Sequence, residues 1–264
     1  MAGLGSVGMR VACSLNAREL EGLTLAAVSA RNLAHGDRRM ARFGTQVAMA
    51  KAGRIAKHAN VVVECLPPSE FMTVAAPVVE IQDSVLVVTS VGALLEHKNI
   101  LETALKSGAR VIAPSGAIVG LDALRAGKLA GLTRVKLVTR KPPLSFGETL
   151  LIDGKFLSTH ELTESVMLFG GNAREAVSAF PKNINVAATV SLAGLGPDRT
   201  EVEIWADPAC KYNTHELRIW SAAGEVAATT SNVPDAGNPK SSAITAYSVL
   251  ACLKRLAEPF SIGS

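Results

Sequence analysis

A chain of 264 residues, 48% apolar, 19% charged and only 4% aromatic, is long enough for one large domain or two ordinary ones. Such a composition excludes a disordered chain, and a net charge of +4 with no basic block argues against a nucleic-acid partner. Cys13, Cys65, Cys210 and Cys252 lack metal or disulfide-framework spacing, no apolar run reaches about 18 residues, and no signal-peptide pattern opens the chain. The expectation is a soluble, cytoplasmic protein with neither metal nor membrane partner.

Over residues 1–115 short apolar runs alternate with helix-like stretches. LTLAAVSA (23–30), VVVECLP (61–67), SVLVVTSV (84–91) and RVIAPSG (110–116) read as buried strands. FMTVAAPVVEI (71–81) and HKNILETALKSG (97–108) carry helical spacing. This alternation predicts an α/β fold: a doubly wound parallel sheet of Rossmann type with right-handed crossovers. Past residue 120 the pattern changes. RVKLVTR (134–140), ESVMLFG (164–170), TEVEIWAD (200–207), HELRIWSA (215–222) and GEVAATTS (224–231) read as strands, the last three as an antiparallel meander. AREAVSAF (173–180) and NVAATVSLAG (185–194) read as helices, so a second, mixed α/β domain with antiparallel strands is expected over 116–237. SSAITAYSVLACLKRLA (241–257) predicts a helix with Ile244, Val249, Leu253 and Leu256 near one face. Asn238 and Pro239 mark its start, and residues 238–264 are expected to return to the first domain.

The run Gly3-Leu4-Gly5-Ser6-Val7-Gly8 matches G-x-G-x-x-G and leads into a helix-like segment. In a βαβ setting that spacing lets the backbone turn, approach a pyrophosphate and pack helix on strand. Only Met1 and Ala2 stand before Gly3, so the strand expected ahead of the loop is almost absent from this sequence. The second strand ends Val28-Ser29-Ala30-Arg31-Asn32, without the acid that would bond a ribose 2′-hydroxyl. Ser29 and Arg31 suit a 2′-phosphate instead, with a solvated surface arginine as the competing reading of Arg31, and the expectation is that NADP is at least accepted. Cys65-Leu66 and Ser90-Val91-Gly92 each follow a predicted parallel strand, where ligands of doubly wound sheets lie. Cys65 reads as a packing residue rather than a nucleophile, since no histidine stands near it in sequence.

Six segments then converge: GLGSVG (3–8), SVGAL (90–94), APSGAIVGLDAL (113–124), FPKNINVAATVSLAGLGPDRT (180–200), NTHE (213–216) and NPKSSAITAYSVLA (238–251). On these the sequence resembles the L-aspartate dehydrogenase family along nearly all its length. The resemblance implies a Rossmann domain, a catalytic α/β domain, a homodimer, and NAD(P)-dependent oxidation of L-aspartate to iminoaspartate, which yields oxaloacetate and ammonia. Carried over by motif, His215 is the catalytic histidine, and Ala117 and Asn185 contact the cofactor.

The residues carry their own argument. Removing hydride from an amine-bearing carbon and hydrating the resulting imine both want a group that titrates near neutrality. His35, His58, His97 and His160 lie in polar surroundings, whereas His215 shares parity with Leu217 and Ile219 on the inward face of a predicted strand. From residues alone it also reads as a satisfied core histidine; the resemblance favours catalysis. A dicarboxylate needs cations and N–H donors. Asn238, Lys240, Ser241 and Ser242 at the opening of the last helix are candidates, and Lys182 is a second, with plain helix capping as the competing reading. Two functional alternatives stand beside the main one: a related dehydrogenase for another amino-dicarboxylate or homoserine-like compound, and a non-catalytic dinucleotide-binding regulator. A methyltransferase would leave the antiparallel second domain unexplained.

Overall fold

The computed structural model describes residues 1–41, 47–152, 155–180, 185–260 and 262–263. Contacts divide the chain into two units, Met1–Gly116 with Ala246–Ile262, and Ala117–Thr245.

In the first unit the elements follow in the order α1 (Ser6–Asn16), β1 (Ala27–Val28), α2 (Leu33–Ala41), β2 (Ala48–Met49), β3 (Val61–Glu64), α3 (Phe71–Val79), β4 (Val85–Val88), α4 (Val91–Glu96), α5 (Asn99–Ser107) and β5 (Arg110–Ile112). Every ladder is parallel: β1 with β2, and β3, β4 and β5 side by side. Met1–Gly3 joins the two groups. Ala2 bridges in parallel to both Ser29 and Glu64. The Ala2 N–H donates to the Val63 carbonyl at 2.8 Å, and the Cys65 N–H donates to the Ala2 carbonyl at 2.8 Å. On the other side Gly3 donates to the Ser29 carbonyl and Ser29 to that of Met1, at 3.0 and 2.9 Å. The nearly absent first strand is therefore present as its final rung. Counting it first, the strand order is that of a dinucleotide-binding sheet, 3-2-1-4-5-6. The run 23–30 contributes only Ala27–Val28 to a ladder because its neighbours on both sides are equally short.

The second unit contains α6 (Leu121–Leu129), β6 (Leu132–Lys141), β7 (Thr149–Ile152), β8 (Lys155–Ser158), β9 (Val166–Asn172), α7 (Ala173–Ala179), α8 (Asn185–Ala193), β10 (Thr200–Ala206), β11 (Asn213–Ser221), β12 (Gly224–Asn232), β13 (Pro234–Asp235) and β14 (Asn238–Ser242). Its main sheet has the order β12-β11-β6-β10-β9. The expected meander is corrected here. Of the three strands β10, β11 and β12, the last two form a hairpin, while β6 lies between β10 and β11, parallel to the first and antiparallel to the second. Alternation assigns faces and leaves neighbours open, so β10 and β11 keep the expected inward residues without pairing. Val202 and Ile204 are buried, whereas Glu203 turns outward to meet Lys136 at 2.6 Å.

The last helix, α9 (Ile244–Ala257), belongs to the first unit, where Ala246, Val249 and Leu253 share a core with Leu4, Val11, Leu15, Val28 and Val63. It begins at Ile244, later than expected. Asn238–Ser242 instead forms β14, antiparallel to β13. Asp235 causes this: its carboxylate accepts from the N–H groups of Gly237 and Asn238, both at 2.9 Å, and so closes a hairpin turn.

Candidate active site

The glycine loop turns where side chains have no room. Gly3 lies at φ +96°, and a Cβ there would stand 2.4 Å from the Cys65 carbonyl oxygen. One on Gly8 would stand 2.1 Å from the Gly3 carbonyl oxygen. Gly5 differs. It caps the N-terminus of α1, and nothing lies within 4 Å of its Cβ position. Two glycines thus serve backbone packing, and the third keeps space open beside a helix start formed by Ser6 and Val7. Helix N-termini favour anions through outward N–H groups and the macrodipole, so this loop fits the diphosphate of NAD(P).

Around the loop, Ser29 is buried in the sheet, and Arg31 is exposed just beyond β1. Cys65 and Leu66 follow β3, while Ser90, Val91 and Gly92 open α4. The sequence reading passed over the residue that ties these two strand ends together. Glu64 is fully buried; its carboxylate accepts from the Leu66 N–H at 2.7 Å, the Ser90 N–H at 3.1 Å and the Ser90 hydroxyl at 2.9 Å. Burial pushes its carboxyl above the usual range, against the pull of those donors. Burial first, and the Glu64 charge second, push the Cys65 thiol up to about 12, so it is no thiolate at neutral pH.

In the second unit, alternation gathers polar groups at one end of an otherwise apolar sheet face. On β6 the covered residues are Val135, Leu137, Thr139 and Lys141; on β11 they are Asn213, His215, Leu217 and Ile219. Register places Thr139, His215 and Thr230 in one cross-strand row, and pairs Asn213 with Asn232 two residues further along. His215 Nδ1 lies 3.0 Å from Thr139 Oγ1. Burial, followed by the charge of Lys141, lowers the imidazole pKa to about 3, so the ring is neutral at ordinary pH. Lys141, only 4% exposed, is itself lowered to about 8 by burial. Asn213 Nδ2 reaches the Ser241 carbonyl and the Ser242 hydroxyl, each at 3.3 Å. Among the described residues its buried Oδ1 has no hydrogen-bond partner.

The other candidates fall as follows. Ala117 is buried, and its carbonyl accepts from Thr230 Oγ1 at 3.0 Å and Asn232 Nδ2 at 2.9 Å. Asn185 is the exposed first residue of α8. Asn238, Lys240, Ser241 and Ser242 all lie on β14, so the helix-dipole reading of this segment is corrected: no helix begins there. What Ser241 and Ser242 do is hold Asn213. Lys182 lies outside the described residues. Lys141, Thr139 and Asn213 were missed, although their parity with the inward apolar residues of their own strands was readable.

Comparison with known proteins decides the family. The family model described as "Aspartate dehydrogenase, C-terminal" matches residues 122–256, and "Homoserine dehydrogenase, NAD binding domain" matches residues 3–114. The chain is 38% identical to "L-aspartate dehydrogenase 3" of Bordetella bronchiseptica, covering 100% of this chain and 96% of that one. The chain belongs to the L-aspartate dehydrogenase family. L-aspartate dehydrogenase of Bradyrhizobium diazoefficiens is 37% identical, over 100% of this chain and 93% of its own length. The crystal structure of aspartate dehydrogenase from Thermotoga maritima superimposes with a TM-score of 0.74 at 26% identity, covering 99% and 97% of the two chains. Membership makes this an NAD(P)-dependent oxidoreductase with a Rossmann domain and a small-molecule substrate. Among the described residues no helix is long and apolar enough to cross a membrane, and no group of side chains is arranged to hold a metal.

Proposed function

We propose that this chain oxidises L-aspartate with NAD(P), forming iminoaspartate that hydrolyses to oxaloacetate and ammonia, and that it runs the reverse reductive amination. When bound, the dinucleotide supplies the hydride acceptor. Gly3, Gly5, Ser6, Val7 and Gly8 take its diphosphate; Ser29 and Arg31 meet a 2′-phosphate, so NADP is accepted. Cys65, Leu66, Ser90, Val91 and Gly92, with Ala117 and Asn185, complete the cofactor contacts.

His215 carries the reading: a neutral imidazole, 2% exposed and braced by Thr139, in a chain of this family. Hydride leaves Cα readily only when the amine lone pair is free, and an uncharged imidazole can take the ammonium proton. The iminium left by hydride transfer loses a proton to solvent, and the protonated ring gives its own proton to the nitrogen as water adds to the imine carbon and ammonium departs, so the ring returns to its neutral form. Cys13, Cys65, Cys210 and Cys252 form no disulfide with one another, which fits a reducing, cytoplasmic setting. The family resemblance supports a homodimer, for which light scattering at twice the chain mass is expected.

The test is loss of reduced-nicotinamide absorbance with oxaloacetate, ammonium and either NADPH or NADH. Ammonium-dependent turnover is expected in the wild type. His215→Ala should lose it by about 100-fold or more while binding cofactor as before. Unchanged turnover in that variant would remove His215 from catalysis; cofactor binding without wild-type turnover would favour another amino-dicarboxylate or a non-catalytic role.

A further inference from the structure

A dicarboxylate needs a fixed cation. The helix start once expected to present Lys240 does not exist, and Lys182 lies outside the described residues. Lys141 meets the requirement. It ends β6, two residues beyond the Thr139 that hydrogen-bonds His215 and on the same covered face. Asn213, two residues before His215 on the adjoining strand, falls level with it. Lysine is almost never found this buried, and such burial is rare outside sites that use the charge. Its charge is felt at the imidazole, so the two groups share one electrostatic environment. Beside them Asn213 Oδ1 is a fully buried acceptor without a donor among the described residues, a costly state that points to a donor arriving with a ligand. A substrate bearing both carboxylate and amine answers both groups.

We propose that Lys141 is a substrate-binding residue that takes a carboxylate of the amino-dicarboxylate beside His215. The inference rests on the dehydrogenase reading above and assigns the cation that reading lacks. It also accounts for why an active-site histidine shares its sheet end with a buried ammonium: burial first, and the positive charge second, keep the free imidazole deprotonated, and an arriving carboxylate offsets the second of these. Proton uptake by the ring is then favoured once substrate is bound.

The experiment uses the full chain and steady-state kinetics. Lys141→Met keeps the length and apolar volume of the stem. It is expected to raise the KM for aspartate by about 10- to 100-fold, the loss of one charge-assisted contact, with the NADP KM unchanged. Lys141→Arg, which keeps the cation, should recover part of that loss. Loss of the preference for aspartate over alanine assigns the side-chain carboxylate; an equal loss for both assigns the α-carboxylate. An aspartate KM within about twofold of wild type in Lys141→Met, whatever its thermal stability, overturns the proposal. Should that variant not fold, inhibition of the wild type by succinate, which has no amine, decides. Its inhibition constant should rise as pH passes about 8, where Lys141 loses its proton, and a constant value overturns the proposal. Absence of wild-type turnover on aspartate would instead sink the dehydrogenase reading itself.

Discussion

At the scale of single residues, the burial that keeps His215 neutral also ties it to acid stability. Its imidazole has a pKa of about 3 in the fold, against about 6.5 for an unperturbed histidine. Between those values the unfolded chain holds the extra proton. Stability therefore rises with pH across that window, is lost as pH falls through it, and is unaffected by this group above it. The slope for one proton approaches about 1.4 kcal/mol per pH unit. Urea unfolding of the wild type should show this loss between about pH 6 and pH 4, and His215→Asn should flatten it. Equal slopes in the two proteins would place the acid sensitivity elsewhere. The sequence made His215 legible because strand parity and the NTHE segment agree on it. Glu64 was not legible: one charge ending an apolar run reads as a strand terminus, and its donors, Leu66 and Ser90, become neighbours only when β3 and β4 pair.

At the scale of elements, the glycine loop separates what the fold needs from what a ligand needs. A methyl group on Gly8 would collide with the Gly3 carbonyl at 2.1 Å, whereas one on Gly5 meets nothing within 4 Å. Gly8→Ala is thus expected to lower the melting temperature and weaken cofactor binding together. Gly5→Ala should melt like the wild type yet bind NADPH about tenfold or more weakly, because its methyl occupies the space a diphosphate would use. Fluorescence titration beside a thermal melt reads both quantities; wild-type affinity in Gly5→Ala would take the diphosphate away from this loop. Local patterns of this kind were visible in the sequence, as were the parallel strands and the inward faces of β6, β10 and β11. Strand order was not. The insertion of β6 between β10 and β11 depends on packing remote in sequence, and the β13–β14 hairpin depends on Asp235 closing a turn where Asn238 and Pro239 read as a helix start.

At the scale of the whole molecule, a ligand that binds only the folded chain must raise its stability, and that links cofactor choice to melting. The gain is RT ln(1 + [L]/Kd), about 2.7 kcal/mol when ligand stands at a hundred times its Kd. NADPH and NADH differ by the 2′-phosphate, and the residue proposed to meet it is Arg31, exposed past the end of β1 where an acid would exclude that group. At equal concentration NADPH is expected to shift the wild-type melting temperature at least as far as NADH. Arg31→Asp removes the cation and supplies an acceptor for a ribose hydroxyl. It should shrink the NADPH shift and spare that from NADH, while the ligand-free melting temperature stays put because the side chain is in solvent. A variant that keeps the wild-type order of the two shifts would leave Arg31 as a solvated surface arginine, with discrimination arising from other residues.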